Sequence, residues 1–177
     1  MYIVSSSTLM GLLRLTMMFV AVVASGTFAL VGSSYAGQQV FDVPGSDTFT
    51  TPAGVTSVNV QAWGAGGGGG GDSRSDTLGG PGGGGGAYAR TDGVAVTPST
   101  GYAVEVGAAG TGVVKGAGTA GGDSYFIDAA TVMAKGGQGG EASANNYQGL
   151  PGAGGAAASS VCTVRYSGGS GSLNEIQ

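Results

Sequence analysis

Two uninterrupted glycine runs, Gly66–Gly71 and Gly82–Gly86, constrain this chain more than any other feature. They lie in one block, Gly64 to Gly86, directly after the alternating segment Ser57 to Trp63. Glycine loses more backbone freedom on ordering than any other residue, so a long run is costly to fix in place. Two outcomes are open: a flexible linker, or backbone packed on backbone so closely that a side chain would not fit. The runs are flanked by Ala, Leu78, Pro81 and Tyr88 rather than by the serines of a linker, which favours packing. A polyglycine II-like segment has three residues per turn, a rise of about 3.1 Å and no internal hydrogen bonds. Its N–H and C=O groups must therefore find partners elsewhere, and several such segments side by side satisfy one another. The expected packing positions are Gly66, Gly67, Gly68, Gly69, Gly70 and Gly71, with Gly82, Gly83, Gly84, Gly85 and Gly86. An exposed excursion at Asp72–Leu78 joins the two runs.

Other uses of glycine fit less well. Gly64–Gly69 formally satisfies G-x-G-x-x-G after a strand, but a phosphate loop needs a helix to begin there, and more glycine and Asp72-Ser73-Arg74 follow instead. Calcium-binding nonapeptide repeats would need a nine-residue period, which is absent, and Arg74 stands where a large apolar residue belongs. A collagen phase breaks within a few residues, as at Val113 after Gly107 and Gly110.

Glycine makes up 40 of the 177 residues, and charged residues only 9%. That is too little charge for a solvated disordered chain. There is one cysteine, Cys162, and no histidine. The commonest zinc sites and the Ser/His or Cys/His catalytic pairs are thereby excluded, as is an intramolecular disulfide. Scattered carboxylates (Glu105, Asp123, Asp128, Glu141) form no pair with a mechanistic spacing, so catalysis is a remote alternative, and neither a cofactor nor a metal is expected. The net charge of −4 becomes −5 without residues 1–36, which carry Arg14 as their one charge. An acidic chain without a basic stripe is a poor ligand for nucleic acid.

The N-terminus reads as a targeting segment. Leu15 to Leu30 is a nearly continuous apolar run behind Arg14, and Ser34-Tyr35-Ala36 supplies small residues at an exit. This is the pattern of a secretory signal peptide, with cleavage after Ala36. A retained membrane anchor is the alternative, since the run approaches the length of a span. With no basic cluster after it, cleavage and a secreted or cell-surface location are expected. The domain boundaries follow: 1–36 signal peptide or anchor, 37–167 glycine-rich β domain, 168–177 C-terminal tail.

Beyond residue 37 the periodicity is that of strands. Ser57–Trp63 alternates with Val58, Val60 and Ala62 on one face, and Tyr102–Val106 alternates likewise. Further strands are expected at Gln39–Val43, Ala87–Thr91, Val94–Thr97, Ser124–Ile127, Thr131–Lys135 and Val161–Tyr166. Asp92-Gly93 reads as a hairpin turn between the candidates Ala87–Thr91 and Val94–Thr97, and Thr51–Val55 as another turn. About eight short strands punctuated by Gly and Pro predict an all-β fold: a small antiparallel sandwich or jelly-roll-like body with packed polyglycine II-like loops, preceded by an apolar helix if the N-terminus is retained.

The block Phe49–Gly68, FTTPAGVTSVNVQAWGAGGG, resembles the opening of the bacterial and phage glycine-rich β domain, F-T-x-P-x-G-V-T-x-V-x-V-x-x-W-G-A-G-G-G. Gly85–Arg90, Val96–Pro98 with Tyr102–Gly107, and Gly121–Ser124 match its later blocks in order, so the resemblance covers roughly Phe49 to Gly155. It implies a non-catalytic module of secreted surface proteins or phage tail-fibre tips, with polyglycine segments bundled in layers and loops that contact receptors. The signal-like N-terminus departs from a phage tail protein. The expected function is therefore a secreted structural subunit of an extracellular fibre or surface matrix, which self-associates. The alternative is an adhesin module that binds a receptor or glycan. Surface contacts are expected from Asp72, Arg74 and Asp76 in the excursion and from Trp63 and Tyr88, with Tyr125 and Tyr147 as further sugar-stacking candidates. Cys162 is expected to be a buried small residue, or else a thiol shared between subunits.

Overall fold

A computed structural model describes residues 1–5, 37–72, 80–144 and 148–173. The apolar run, Ala36, Ser73, Arg74, Asp76, Leu78 and Tyr147 lie outside them. The described residues form an all-β fold of two antiparallel sheets. In chain order the strands are β1 (Tyr2–Ser5), β2 (Gln38–Val40), β3 (Gly45–Thr50), β4 (Ser57–Trp63), β5 (Tyr88–Ala95), β6 (Gly101–Val106), β7 (Ser124–Phe126), β8 (Val132–Ala134) and β9 (Val164–Tyr166). One sheet has the order β2-β1-β4-β5-β9 and the other β3-β6-β7-β8.

The sheets face each other because each strand presents an apolar residue at every second position. On β4 this buries Val58, Val60 and Ala62 completely. Across the core, Phe126 of β7 is equally buried and meets Phe49 of β3 edge to face at 6.0 Å and Tyr102 of β6 at 5.8 Å. Val104, Val132, Ala134 and Ala89 fill the remaining space.

Three expectations are corrected. There is no hairpin at Asp92-Gly93: residues 88–95 form one strand, β5, carrying a bulge. Val58 pairs with Val94 and Val60 with Thr91, so Asn59 alone faces Asp92 and Gly93. Gly93 takes a left-handed φ of 71°, and its N–H donates to Asn59 Oδ1 at 2.9 Å. The same Asp-Gly chemistry that closes hairpins thus serves a bulge, because β4 offers a continuous partner. The last strand is shorter than expected: Val161 makes only an isolated bridge to Met133, β9 begins at Val164, and Cys162 is half-buried against the core. Asp72 is treated below.

Two strands lie outside the expected ones, β3 over residues 45–50 and β1. Residues 2–5 form β1, inserted between β2 and β4. Ile3 pairs with Val60 on one side and Gln39 on the other, and is fully buried. β1 is the sole partner of β2 among the described strands.

Candidate functional site: the glycine bundle and the aromatic ladder beside it

The glycine-rich connections all leave the strands at one end of the sandwich. The β4–β5 and β6–β7 connections continue the antiparallel course of the strands they join, whereas β8 and β9 both run toward the bundle. The β4–β5 connection runs out as rod 1 (64–72) and returns as rod 2 (80–87). The β6–β7 connection gives rods 3 (107–114) and 4 (116–123), and the β8–β9 connection gives rods 5 (135–143) and 6 (149–155). Residues 168–172, which carry no pattern in the sequence, form rod 7.

The hydrogen bonds between rods recur at every third residue, as a three-residue turn requires. From rod 1, Gly64, Gly67 and Gly70 donate to Ala87, Gly84 and Pro81 of rod 2, at 2.8 to 2.9 Å. The next face, Ala65, Gly68 and Gly71, donates to Gly122, Thr119 and Gly116 of rod 4. Carbonyls of Ala65, Gly68 and Gly71 accept from Gly137, Gly140 and Ser143 of rod 5, and those of Gly66 and Gly69 from Gly110 and Val113 of rod 3. Rod 1 is thus bonded to four neighbours and lies at the centre. Rod 2 is bonded in turn to rods 5, 6 and 7, for example through Gly84 N–H to Gln138, Gly155 N–H to Gly85, and Gly85 N–H to Gly169. No backbone group of these rods depends on an internal bond. Together they form a lattice.

The lattice explains the glycine. A Cβ on Gly67, Gly68, Gly70 or Gly71 would lie 2.0 to 2.2 Å from a carbonyl oxygen of rod 5 or rod 3. On Gly83, Gly84 or Gly86 it would meet backbone oxygen at 1.8 to 2.2 Å. Backbone cannot step aside as a side chain can, so these seven positions are closed. The other expected packing positions are not: a Cβ would find its nearest atom at 3.6 Å on Gly66, Gly69 and Gly85, and at 3.2 Å on Gly82. Peripheral rods need glycine only on the inward face. In rod 6, Gly152 and Gly155 would press a Cβ to 2.1 and 2.2 Å from Gln138 and Lys135 oxygens, whereas exposed Leu150 and Ala153 point away.

Asp72 was expected on a solvated loop tip. It is 4% exposed and forms a parallel bridge with Ser143. The reason is that rod 1 does not end with the glycines: Ser143 N–H bonds Gly71 O at 3.0 Å and carries rod 5 alongside. Asp72 is therefore part of the bundle and offers no surface contact.

Trp63 and Tyr88 are brought together. They are cross-strand partners on β4 and β5, on the outward face, with ring centroids 5.1 Å apart. Tyr88 in turn pairs with Tyr166 of β9, stacked at 6.0 Å and 24°. The three rings form a ladder across three strands where the sheet passes into the bundle. Trp63 is 43% exposed and Tyr166 64% exposed, and Val164 adds apolar surface beside them. Tyr88 OH donates to Gln61 Oε1 at 3.0 Å, which fixes its ring. Arg90 on the same face is bonded through Nε to Asp92 Oδ1 at 2.9 Å, and that bond raises its pKa above the usual guanidinium value. Tyr166 was missed in the sequence because β9 is far from β5 along the chain. Tyr125 lies apart, on β7 of the other sheet. A cavity of about 210 Å³ beside β2, lined by Gly37–Gln39, Phe49, Thr50 and Pro52, is small for an organic ligand.

Polar side chains otherwise serve the scaffold. Asp123 accepts from Lys135 Nζ at 2.9 Å and from Gly136 N–H at 2.8 Å, where rods 4 and 5 meet the sandwich. Ser160 Oγ accepts from Lys135 N–H at 3.1 Å. Among the described residues no group of three His, Cys, Asp or Glu is placed to hold a metal ion, and no helix is long and apolar enough to cross a membrane. No curated protein matches the chain. The pattern of the glycine-rich domain family matches residues 42–175, from just after β2 through rod 7. With three quarters of its length matched, and with glycines placed where backbone meets backbone, the chain belongs to that glycine-rich domain family.

Proposed function

We propose that this protein is a non-catalytic extracellular structural subunit, exported through its N-terminal segment and built to self-associate in a fibre or surface matrix. The observation that supports this reading is the bundle itself. Its rods are held by backbone-to-backbone bonds at every third residue, an arrangement suited to a stiff module and costly to reshape into a catalytic cleft. The sparse charge leaves such a surface prone to self-contact. The test is electron microscopy and size-exclusion chromatography of protein recovered from the culture medium of a secreting host. Fibres or oligomers are expected; a strictly monomeric, compact species overturns the reading.

The ladder Trp63–Tyr88–Tyr166 favours a second reading, an adhesin surface for glycans or another flat apolar-faced ligand, since aromatic faces stack on sugar rings. Titrating oligosaccharides against Trp63 fluorescence tests it. Saturable quenching that is lost in Tyr166→Ala supports it, and a flat response across a glycan panel overturns it.

A further inference from the structure

Among the described residues the two sheets have four edge strands, β2 and β9 in one and β3 and β8 in the other. Three of them are blunted. Met133 of β8 exchanges both backbone bonds with Val161, at 2.8 and 2.9 Å. On β3 the N–H of Thr48 is taken by the Asp47 carboxylate at 2.6 Å. β9 carries Arg165 opposite the buried Ala89, a charge on the core side of the strand. Bonded groups and inward charges keep an edge from pairing with another chain. β2 has neither.

Phe41 donates its N–H to Met1 O at 2.9 Å, and its carbonyl accepts from the Met1 amino group at 2.6 Å. Residues of an antiparallel pair that exchange bonds in this way alternate with residues whose groups point to the other side. The N–H and C=O of Gln38, Val40 and Asp42 therefore point off the free edge of the sheet. The Val40 side chain stands on the outer face, in the row of Gln61, and is 46% exposed. Val43 lies two residues past the buried Phe41 and is 78% exposed. At the opposite end of the same strand, Gly37–Gln39 form one wall of the cavity of about 210 Å³, and Phe49, Thr50 and Pro52 form the other. An uncovered valine and an opening walled by Phe49 and Pro52 thus sit at the two ends of one free edge. A twofold axis through the middle of that edge would bring each valine to the other copy's opening.

We propose that the outer edge of β2 pairs with β2 of a second copy, antiparallel about a twofold axis at Val40. Each β2 stays in its own sheet, beside β1 and with Phe41 in its own core. Val40 exchanges backbone bonds with the second copy's Val40, and their side chains meet on the outer face. Gln38 stands opposite the second copy's Asp42, so a side-chain amide faces a carboxylate. Val43 stands opposite the second copy's Gly37, at the mouth of its cavity. The contact is isologous, and one sheet runs through both copies. It rests on the self-association in the reading above and not on export: β1 is the strand that holds β2, so the pairing belongs to chain that keeps residues 1–5. A contact through one short strand is at the small end of specific interfaces, and the dimer is therefore expected to depend on concentration.

The test is sedimentation equilibrium of the full chain over a concentration series, its N-terminus first read by mass spectrometry. A monomer–dimer equilibrium is expected. Val40→Lys sets like charges face to face at the twofold axis, and Val43→Asp turns a carboxylate to the opening. Each should weaken dimerisation about tenfold or more, with the unfolding temperature of the monomer unchanged because both side chains are exposed there. Val114→Asp, at an exposed valine of rod 3 outside the sheets, should dimerise like the parent. Hydrogen exchange of the parent is a second readout that needs no variant. The Val40 amide should slow as concentration rises, while the Phe41 amide, bonded within its own chain, does not change. Oligomers that form equally in Val40→Lys and Val43→Asp, or a Val40 amide as fast in the dimer as in the monomer, overturn the edge and leave the structural reading standing. A parent that stays monomeric throughout the series overturns the edge and the self-association together.

Discussion

At the scale of single residues, the bundle turns a glycine run into a position-by-position prediction. Within Gly66–Gly71 the residues look alike in sequence, yet their surroundings differ. At Gly67 an added methyl would lie 2.0 Å from Gln138 O, while at Gly66 it would sit 3.6 Å from Gly84 O, an ordinary contact. Gly67→Ala is expected to destabilise the protein by about 3 kcal/mol, the upper end of overpacking in a rigid interior. Gly66→Ala is expected to be neutral or to stabilise by about 0.5 kcal/mol. It restricts the unfolded chain, and the rod's backbone at that residue lies outside the left-handed region. Chemical denaturation of the two variants checks both signs. Gly68→Val, which drives a branched side chain into Thr111 O, should prevent folding of the bundle. If all three variants unfold like the parent, the rods are not packed.

At the scale of elements, two turns show how local chemistry is bent to tertiary demands. The β7–β8 turn is closed by Asp128, whose carboxylate accepts from Thr131 Oγ1 at 2.8 Å and from Ala130 N–H at 2.9 Å. These bonds, the Thr131 hydroxyl first, lower the pKa of Asp128 below its ordinary value. A carboxylate held low in the folded state contributes stability above its unfolded pKa and loses it as pH falls through the folded one. The turn should therefore loosen only in acid. Thr131→Ala should move the Asp128 midpoint up toward the ordinary carboxylate range, read by NMR titration, with little change near neutral pH. In the β5 bulge, Gly93→Ala places a Cβ on a left-handed backbone and should cost about 1 kcal/mol. Removing the Asn59 acceptor of the Gly93 N–H by Asn59→Ala should cost a similar amount, about 1 kcal/mol.

At the scale of the molecule, sandwich and bundle form one cooperative object, because every rod continues a strand or leads into the next. Rod 7 is the clearest case. Gly168 and Gly171 donate to Gly155 and Gly152, while Gly82 and Gly85 of rod 2 donate to Ser172 and Gly169. Residues 168–177 were expected to be a tail, and deletion of a tail costs nothing. Deleting them from this structure exposes one side of rod 2 and one side of rod 6. We expect a lower thermal midpoint, and faster hydrogen exchange at Gly82 and Gly85, whose N–H groups lose their acceptors, than at the central Gly67 and Gly70. Exchange that is unchanged at Gly82 and Gly85 would show that rod 7 does not bind.

The sequence by itself determined what is local. Alternation at period two placed β4 and β6 and assigned their inward faces, and two unbroken glycine runs with few serines beside them favoured close backbone packing over a flexible linker. A coarser rule was also legible: a rod turns every three residues, so an enclosed rod needs glycine at two positions in three, as at Gly67, Gly68, Gly70 and Gly71. Peripheral rod 7 needs it only at intervals of three, at Gly168 and Gly171, whereas rod 6, which also meets rod 7, needs it at Gly152, Gly154 and Gly155. What the tertiary structure decided is which rod touches which. It also decided that Asp72 is buried, that Asp92-Gly93 bulges instead of turning, that Tyr166 completes the ladder, and that residues 2–5 enter the sheet. The reason is common to all of them. A glycine rod and a short strand have no bonds of their own, so their conformation is set by partners distant in the chain, and those partners are not written in the segment itself.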